Sequence, residues 1–202
     1  MESAEPDRPL LAVIRRAAAA GVDWIQIREK DLPTRPLHEL TCAAVAAAAS
    51  PRPGVTRVLV NDRLDVALAV GAAGVHLGRE SLPVADVARW RSAGKAPEGF
   101  LVGASCHSLT QAQESERDGA DYVFFGPVFA TPSKAAYGPP QGLERLAEVC
   151  RLARIPILAI GGITVENAGQ CLDSGAAGIA AIRLFQEAAD LEAIAKRFRA
   201  PF

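Results

Sequence analysis

At 202 residues, half of them hydrophobic, the chain is long enough to bury one sizeable core, and it reads as a single domain over residues 1–202. A formal net charge of -1, with no basic tail or charge block, argues against nucleic acid and against an anionic membrane as partners and leaves small-molecule chemistry. Cys42, Cys106, Cys150 and Cys171 form no CxxC pair or metal-ligand pattern, the first residues lack a signal-peptide layout, and no apolar run reaches membrane-spanning length, so reduced thiols and a cytoplasmic location are expected.

Taken in order, Leu10 to Ala20 predicts a helix stopped at Gly21. Val22 to Lys30 predicts a strand with Ile25 and Ile27 on one face and Trp24, Gln26 and Arg28 on the other. An Ala-rich helix from Leu37 to Ser50 is closed by Pro51 and the Pro53-Gly54 turn. Arg57 to Val60 is a short strand, Leu64 to Val70 one or two helical turns, Gly74 to Leu77 another strand, and Pro83 to about Ser92 a helix. Phe100 to Ala104 is a strand, and Ser108 should cap a helix from Leu109 to Asp118. Tyr122 to Phe125 is a buried strand, followed by a long loop and a helix from Leu143 to Ala153. Ile155 to Ile160 is a strand, Thr164 should cap a helix running to Ser174, and Gly178 to Ile182 is the last strand before a terminal helix ending near Arg199.

Strands of about five residues thus alternate with helices, and the strands are apolar nearly throughout, the pattern of a parallel α/β sheet buried on both faces. An open doubly wound sheet and a closed (β/α)8 barrel compete. Polar residues decide between them. Arg28 to Lys30, Asn61-Asp62, Gly78, Ser105 to His107, Gly126 to Lys134, Gly161-Gly162 and Arg183 all fall at or just past strand carboxyl ends, which only a barrel gathers at one mouth. The fold expected is a (β/α)8 TIM barrel with seven countable strands. The missing strand should precede Leu10, where Met1 to Arg8 has almost no strand propensity, so the barrel is expected to lack its first strand.

Several of these groups suit anions. Thr131, Ser133 and Lys134 place two hydroxyls and an ammonium just after the Gly126-Pro127 turn, a set that suits phosphate; the alternative is a solvated turn. Arg28 and Lys30, with Gln26 behind them, would be costly to desolvate without an anion, which points to a multiply charged ligand such as a diphosphate; the alternative is an ion pair from Arg28 to Asp62 or Glu80. Asn61 and Asp62 offer an amide for a nucleobase-like ring and a carboxylate for magnesium, although Asp62 would equally serve as a helix cap. Gly161-Gly162 lets backbone N–H groups approach an anion, with a helix dipole behind them. His107 is a candidate acid or base, Cys106 reads as packing, and His76 and His38 read as structural.

The motifs Gln26-Ile-Arg-Glu-Lys30, Asn61-Asp62-Arg63, Gly74-Val-His-Leu-Gly78, Gly126 to Lys134, Gln141-Gly142 and Ala159-Ile-Gly-Gly-Ile-Thr164 together resemble the thiamine phosphate synthase and thiazole tautomerase family, in order from about Leu10 to Phe185. The resemblance implies a (β/α)8 barrel that joins hydroxymethylpyrimidine diphosphate to thiazole phosphate and releases pyrophosphate with Mg2+. On matching positions it implies that Gln26, Arg28, Lys30 and Asn61 hold the pyrimidine diphosphate and Asp62 the magnesium. Ser105 and Lys134 would contact pyrophosphate, and Thr131, Ser133 and Gly162 the thiazole phosphate. Its partners would be these small phosphorylated substrates, with a homodimer left open.

The chain departs from the family pattern where a second magnesium aspartate is replaced by Ser81, which implies a weakened metal site, and where a small residue is replaced by Arg183. Two alternatives therefore stand beside the synthase: a metal-independent thiazole tautomerase using His107 as base, and a non-catalytic barrel that binds thiamine precursors or a partner protein.

Overall fold

The computed structural model of the protein describes residues 9–49, 56–131 and 139–198. The order is α1 (Pro9–Ala19), β1 (Trp24–Ile27), α2 (Thr34–Ala48), β2 (Arg57–Asn61), α3 (Leu64–Ala69), β3 (Gly74–Leu77) and α4 (Val84–Trp90). There follow β4 (Leu101–Cys106), α5 (Leu109–Arg117), β5 (Tyr122–Phe125), α6 (Gly142–Leu152), β6 (Ile157–Ile160), α7 (Ala168–Asp173), β7 (Gly178–Ala180), α8 (Arg183–Gln186) and α9 (Leu191–Phe198). None of the helices among the described residues is long and apolar enough to cross a membrane.

All six strand pairings are parallel, and the sheet order is β1-β2-β3-β4-β5-β6-β7. A doubly wound sheet reverses its strand order at a switch point, and this one never reverses. The sheet is also curled. In a flat sheet β1 and β5 would stand roughly 19 Å apart, four strand spacings. Yet the Trp24 and Tyr122 rings lie 4.6 Å apart between centroids, so the sheet has rolled into a half-barrel around them. Met1 to Arg8, where the sequence leaves no first strand, lies outside the described residues.

Strand alternation sorts the side chains into two layers. Outward residues such as Ile27, Val58, Val60, Val75, Leu77 and Val102 pack under Leu37, Leu40, Ala44, Val66 and Val87 of the covering helices. Ala104, Val123, Phe125, Ile157 and Ala159 do the same under Ala112, Leu146, Val149, Ala168 and Cys171. The inward layer holds Leu59, Tyr122 and Phe124, with Trp24, Leu101, Leu158, Ile160 and Ala180 against them. Below this layer, Arg91 follows α4 in a π-helical turn (Arg91–Lys95) and clamps the strand starts. Its guanidinium pairs with Asp121 and donates to the carbonyls of Phe100 and Gly119, both at 3.1 Å.

Ser108 caps α5 as expected, its Oγ accepting from the Gln111 N–H. Three expectations are corrected. β1 ends at Ile27, so Arg28 and Lys30 sit in the following loop rather than on one face of a strand. Thr164 caps a separate turn ahead of α7 rather than α7 itself, which starts only at Ala168: its Oγ1 accepts from the Glu166 N–H (3.3 Å) and its carbonyl from the Ala168 N–H (3.0 Å). The Asn167 side chain ties that turn down from within: its Oδ1 accepts from the Thr164 N–H (2.8 Å) and its Nδ2 donates to the Gly162 carbonyl (2.9 Å). With the helix start displaced to Ala168, and α7 only six residues long, the dipole expected behind Gly161-Gly162 is not supplied. Finally, β7 ends at Ala180 rather than Ile182, and Arg183 opens the short helix α8.

Candidate active site

The polar groups at the strand carboxyl ends form two clusters and a buried link. The first cluster lies over β1, β2 and β3. Gln26, inward on β1, donates from Nε2 to Asn61 Oδ1 at 3.0 Å, and Asn61 donates from Nδ2 to Asp62 Oδ2 at 2.7 Å. Asp62 takes a left-handed backbone conformation (φ 62°), which Asp and Asn tolerate better than other side chains and which aims its carboxylate across the mouth. The other oxygen of that carboxylate, Oδ1, accepts a short hydrogen bond from Ser81 Oγ. Ser81 itself is fixed by the Gly78 N–H, which donates to its Oγ at 2.6 Å. Arg63, next along, is turned away to Asp65, whose carboxyl it holds below the usual range, and to Thr34. A cleft beside Asn61 and Asp62 is lined by Ile27, Glu29, Lys30, Leu32 and Leu37. Arg28 is exposed at the mouth, close enough to disfavour a positive charge on His76.

The second cluster lies over β5, β6 and β7. Here the backbone sets the geometry. The Val128 N–H donates to the Ile160 carbonyl (2.9 Å) and the Phe129 N–H to the Gly161 carbonyl (3.0 Å), so the loop after β5 runs against the double glycine after β6. Gly161 and Gly162 both have positive φ (96° and 67°), and a Cβ on Gly162 would lie 2.7 Å from the Ala130 carbonyl oxygen and from Phe129 Cβ. Only glycine fits, and the gap it leaves brings Thr131 and Gly162 to one side of the mouth. Arg183 reaches back from α8, with its guanidinium 3.5 Å from Thr131 Oγ1. Ser133 and Lys134 lie outside the described residues.

Between the clusters, at β4, Ser105 is exposed at the mouth while His107 is tied by Nδ1 to the Gly126 carbonyl. A neutral imidazole donating there from Nδ1 keeps the Nε2 lone pair. Cys106 is buried with its Sγ 3.3 Å from Ser115 Oγ, and burial pushes its thiol up, the state of a packing residue. His38, on α2, touches only Cys42 among the described polar contacts.

One functional candidate was hidden by its setting. His76, in the apolar strand β3, points inward rather than into the helix layer. Its Nε2 lies 2.8 Å from Ser105 Oγ and its Nδ1 3.1 Å from the Tyr122 hydroxyl, beneath the ring of Phe124 at 4.3 Å. Burial lowers its pKa to about 4, so the imidazole is neutral at neutral pH. The available signal is strand alternation: in Gly74-Val-His-Leu77, Val75 and Leu77 face the helices and His76 must face inward.

A family model described as thiamine monophosphate synthase matches residues 1–185. A thiamine-phosphate synthase of Moorella thermoacetica is 45% identical over 192 residues, covering 95% of the chain and 88% of that protein. One of Methanoculleus marisnigri is 44% identical over 185 residues, covering 92% and 84%. Among solved structures, a thiamine phosphate pyrophosphorylase from Pyrococcus furiosus superposes with a TM-score of 0.79 at 34% identity, covering 95% of this chain and 87% of that one.

Proposed function

The chain belongs to the thiamine monophosphate synthase family, and from that premise we propose that it joins hydroxymethylpyrimidine diphosphate to thiazole phosphate with release of pyrophosphate. The observation that carries this reading is the division of the mouth into two polar clusters, each with a cation beside it, one around Asn61 and Asp62 with Lys30 and one around Gly162 and Thr131 with Arg183, on opposite sides of Ser105. A single-substrate isomerase has use for only one of them. In this reading the described strands form most of a (β/α)8 barrel within one domain over residues 1–202, and the protein is soluble, cytoplasmic and acts on small phosphorylated substrates.

Gln26 and Asn61, already bonded to each other, present amide groups to the edge of the pyrimidine ring. Arg28, Lys30, Lys134 and Ser105 receive the diphosphate. Thr131, Ser133, Gly161, Gly162 and Arg183 receive the phosphate of the thiazole. Pyrophosphate departs with the electron pair of its C–O bond, and the thiazole nitrogen then forms the new C–N bond to the pyrimidine methylene carbon. The protein's part is to hold the two rings in line and to keep donors aimed at the oxygens on which charge develops.

For magnesium, the donor set is one carboxylate, Asp62, with the Ser81 hydroxyl against it, and no group of three His, Cys, Asp or Glu side chains among the described residues converges on a metal site. One carboxylate fits an ion that is held jointly with diphosphate oxygens, the usual way magnesium is bound, and does not fit a closed all-protein cage. Asp62 would hold that ion, and the charge it supplies when bound neutralises the leaving pyrophosphate.

The second reading, a thiazole tautomerase, rests on the Nε2 lone pair that His107 keeps while Nδ1 is bonded to Gly126. Incubating the pure protein with both substrates and magnesium should give thiamine phosphate and one pyrophosphate per turnover. Conversion of a thiazole tautomer with no thiamine phosphate formed would move the assignment to the isomerase.

A further inference from the structure

His76 and Tyr122 use both their polar ends on each other and on Ser105, deep under the mouth, in a way no catalytic role so far accounts for. Tyr122 is fully buried, and burial raises its pKa further, so it remains a phenol. A buried O–H needs an acceptor, and among the described residues the one placed to accept it is His76 Nδ1 at 3.1 Å. That fixes the tautomer. A neutral imidazole that accepts at Nδ1 carries its proton on Nε2, and Nε2 lies 2.8 Å from Ser105 Oγ. Ser105 must therefore accept from His76, which leaves its own hydrogen to be donated elsewhere, and the exposed side of Ser105 faces the mouth. The fold makes room for this arrangement at some cost in tolerance. A Cβ on Gly103 would lie 2.0 Å from Tyr122 Cζ and 2.4 Å from its hydroxyl oxygen, so only glycine there lets the phenol reach His76. Trp24 and Phe124 enclose the pair at centroid distances of 4.6 Å from Tyr122 and 4.3 Å from His76.

We propose that Tyr122 and His76 are positioning residues forming a one-way hydrogen-bond relay, Tyr122 O–H to His76 Nδ1 and His76 Nε2–H to Ser105 Oγ, which makes the Ser105 hydroxyl an obligate donor to the leaving pyrophosphate. The relay carries no net charge and moves no proton. It polarises one hydroxyl and holds it so that it never has to reorient when charge builds on the departing oxygen. The assignment of an anion as acceptor rests on the synthase reading; the tautomer does not.

The test joins spectroscopy on the free protein to kinetics. Nitrogen-15 NMR of histidine-labelled protein, with His76 assigned by its disappearance in His76→Gln, should show the Nε2–H tautomer in the wild type and a mixture of tautomers in Tyr122→Phe. In the assay, Tyr122→Phe should lower kcat about tenfold, part of the effect of losing a whole oxyanion donor, with KM for the pyrimidine diphosphate nearly unchanged. In a Ser105→Ala background the same change should cost nothing further, because the relay has lost its end. An Nδ1–H tautomer in the wild type, or a Tyr122→Phe penalty that persists without Ser105, overturns the relay. If the wild type makes no thiamine phosphate, the synthase reading fails while the tautomer still decides the relay; if Tyr122→Phe does not fold, the wild-type spectrum alone decides it.

Discussion

On the β1–β3 side of the mouth, polar side chains hold one another: Gln26 bonds Asn61, Asn61 bonds Asp62, and Asp62 bonds Ser81. On the β5–β7 side the loop after β5 is held to Gly161 and to Ile160 by main-chain hydrogen bonds, and Thr131 and Arg183 reach in at its end. The first half is a chemical construction, in which identity can change while the backbone stays put. The second is a steric one, in which almost any change of side chain near the glycines is a change of backbone. Substitutions on the two sides should therefore fail differently, one in catalysis and the other in folding.

The largest effect is expected at Gly162→Ala. Left-handed strain and the collision with Ala130 and Phe129 together should lower stability by roughly 2–5 kcal/mol, read as a fall in the urea midpoint at unchanged m-value. Asp62→Asn is the matched change on the other side. Asparagine accepts the same φ, so stability should hold while kcat falls about a hundredfold, or about 2.7 kcal/mol of transition-state stabilisation; equal losses of stability and rate would erase the distinction between the halves. Ser81→Asp comes next. It replaces the hydrogen that Asp62 now receives with a second carboxylate, so the variant should melt lower without magnesium, recover when magnesium is added, and show higher magnesium-dependent activity. A rate that is unchanged or lower would mean that Ser81 is not what limits this site. The smallest effect is expected for Arg183→Ser, where an exposed guanidinium is removed from beside Thr131: KM for thiazole phosphate should rise a few-fold, on the order of 1 kcal/mol, with kcat unchanged.

How much of this was legible before the fold was known follows the same division. The strands, their parallel order and the gathering of Gln26, Asn61, Asp62, Ser105, Thr131 and Gly162 at one end could be read because strand alternation and βα punctuation are local. The bond between Ser81 and Asp62 could not be read, since it joins two loops 19 residues apart through a turn that brings Gly78 N–H and Ser81 Oγ together. Thr164 was legible in part: it caps the turn that leads into α7, but the local bonds of Asn167 to Thr164 and Gly162 hold that turn apart from the helix, which starts at Ala168. His76 looked structural because a lone histidine in an apolar strand usually is, and its partner Tyr122 sits 46 residues away on a strand two removed in the sheet. Ser133, Lys134 and the first eight residues lie outside what the structure describes.

The close approach of Tyr122 to Gly103 has a consequence for how this chain can change over time. The phenol of Tyr122 occupies the place where a side chain at 103 would stand, so the two positions make up one inherited character. A mutation that gives residue 103 a methyl group is tolerable only after Tyr122 has already shrunk, and by then the buried imidazole of His76 has lost its hydrogen-bond donor. A lineage carrying this pair can leave it only by a route on which the order of two substitutions matters, and a relative with a side chain at 103 should also carry a smaller residue at 122.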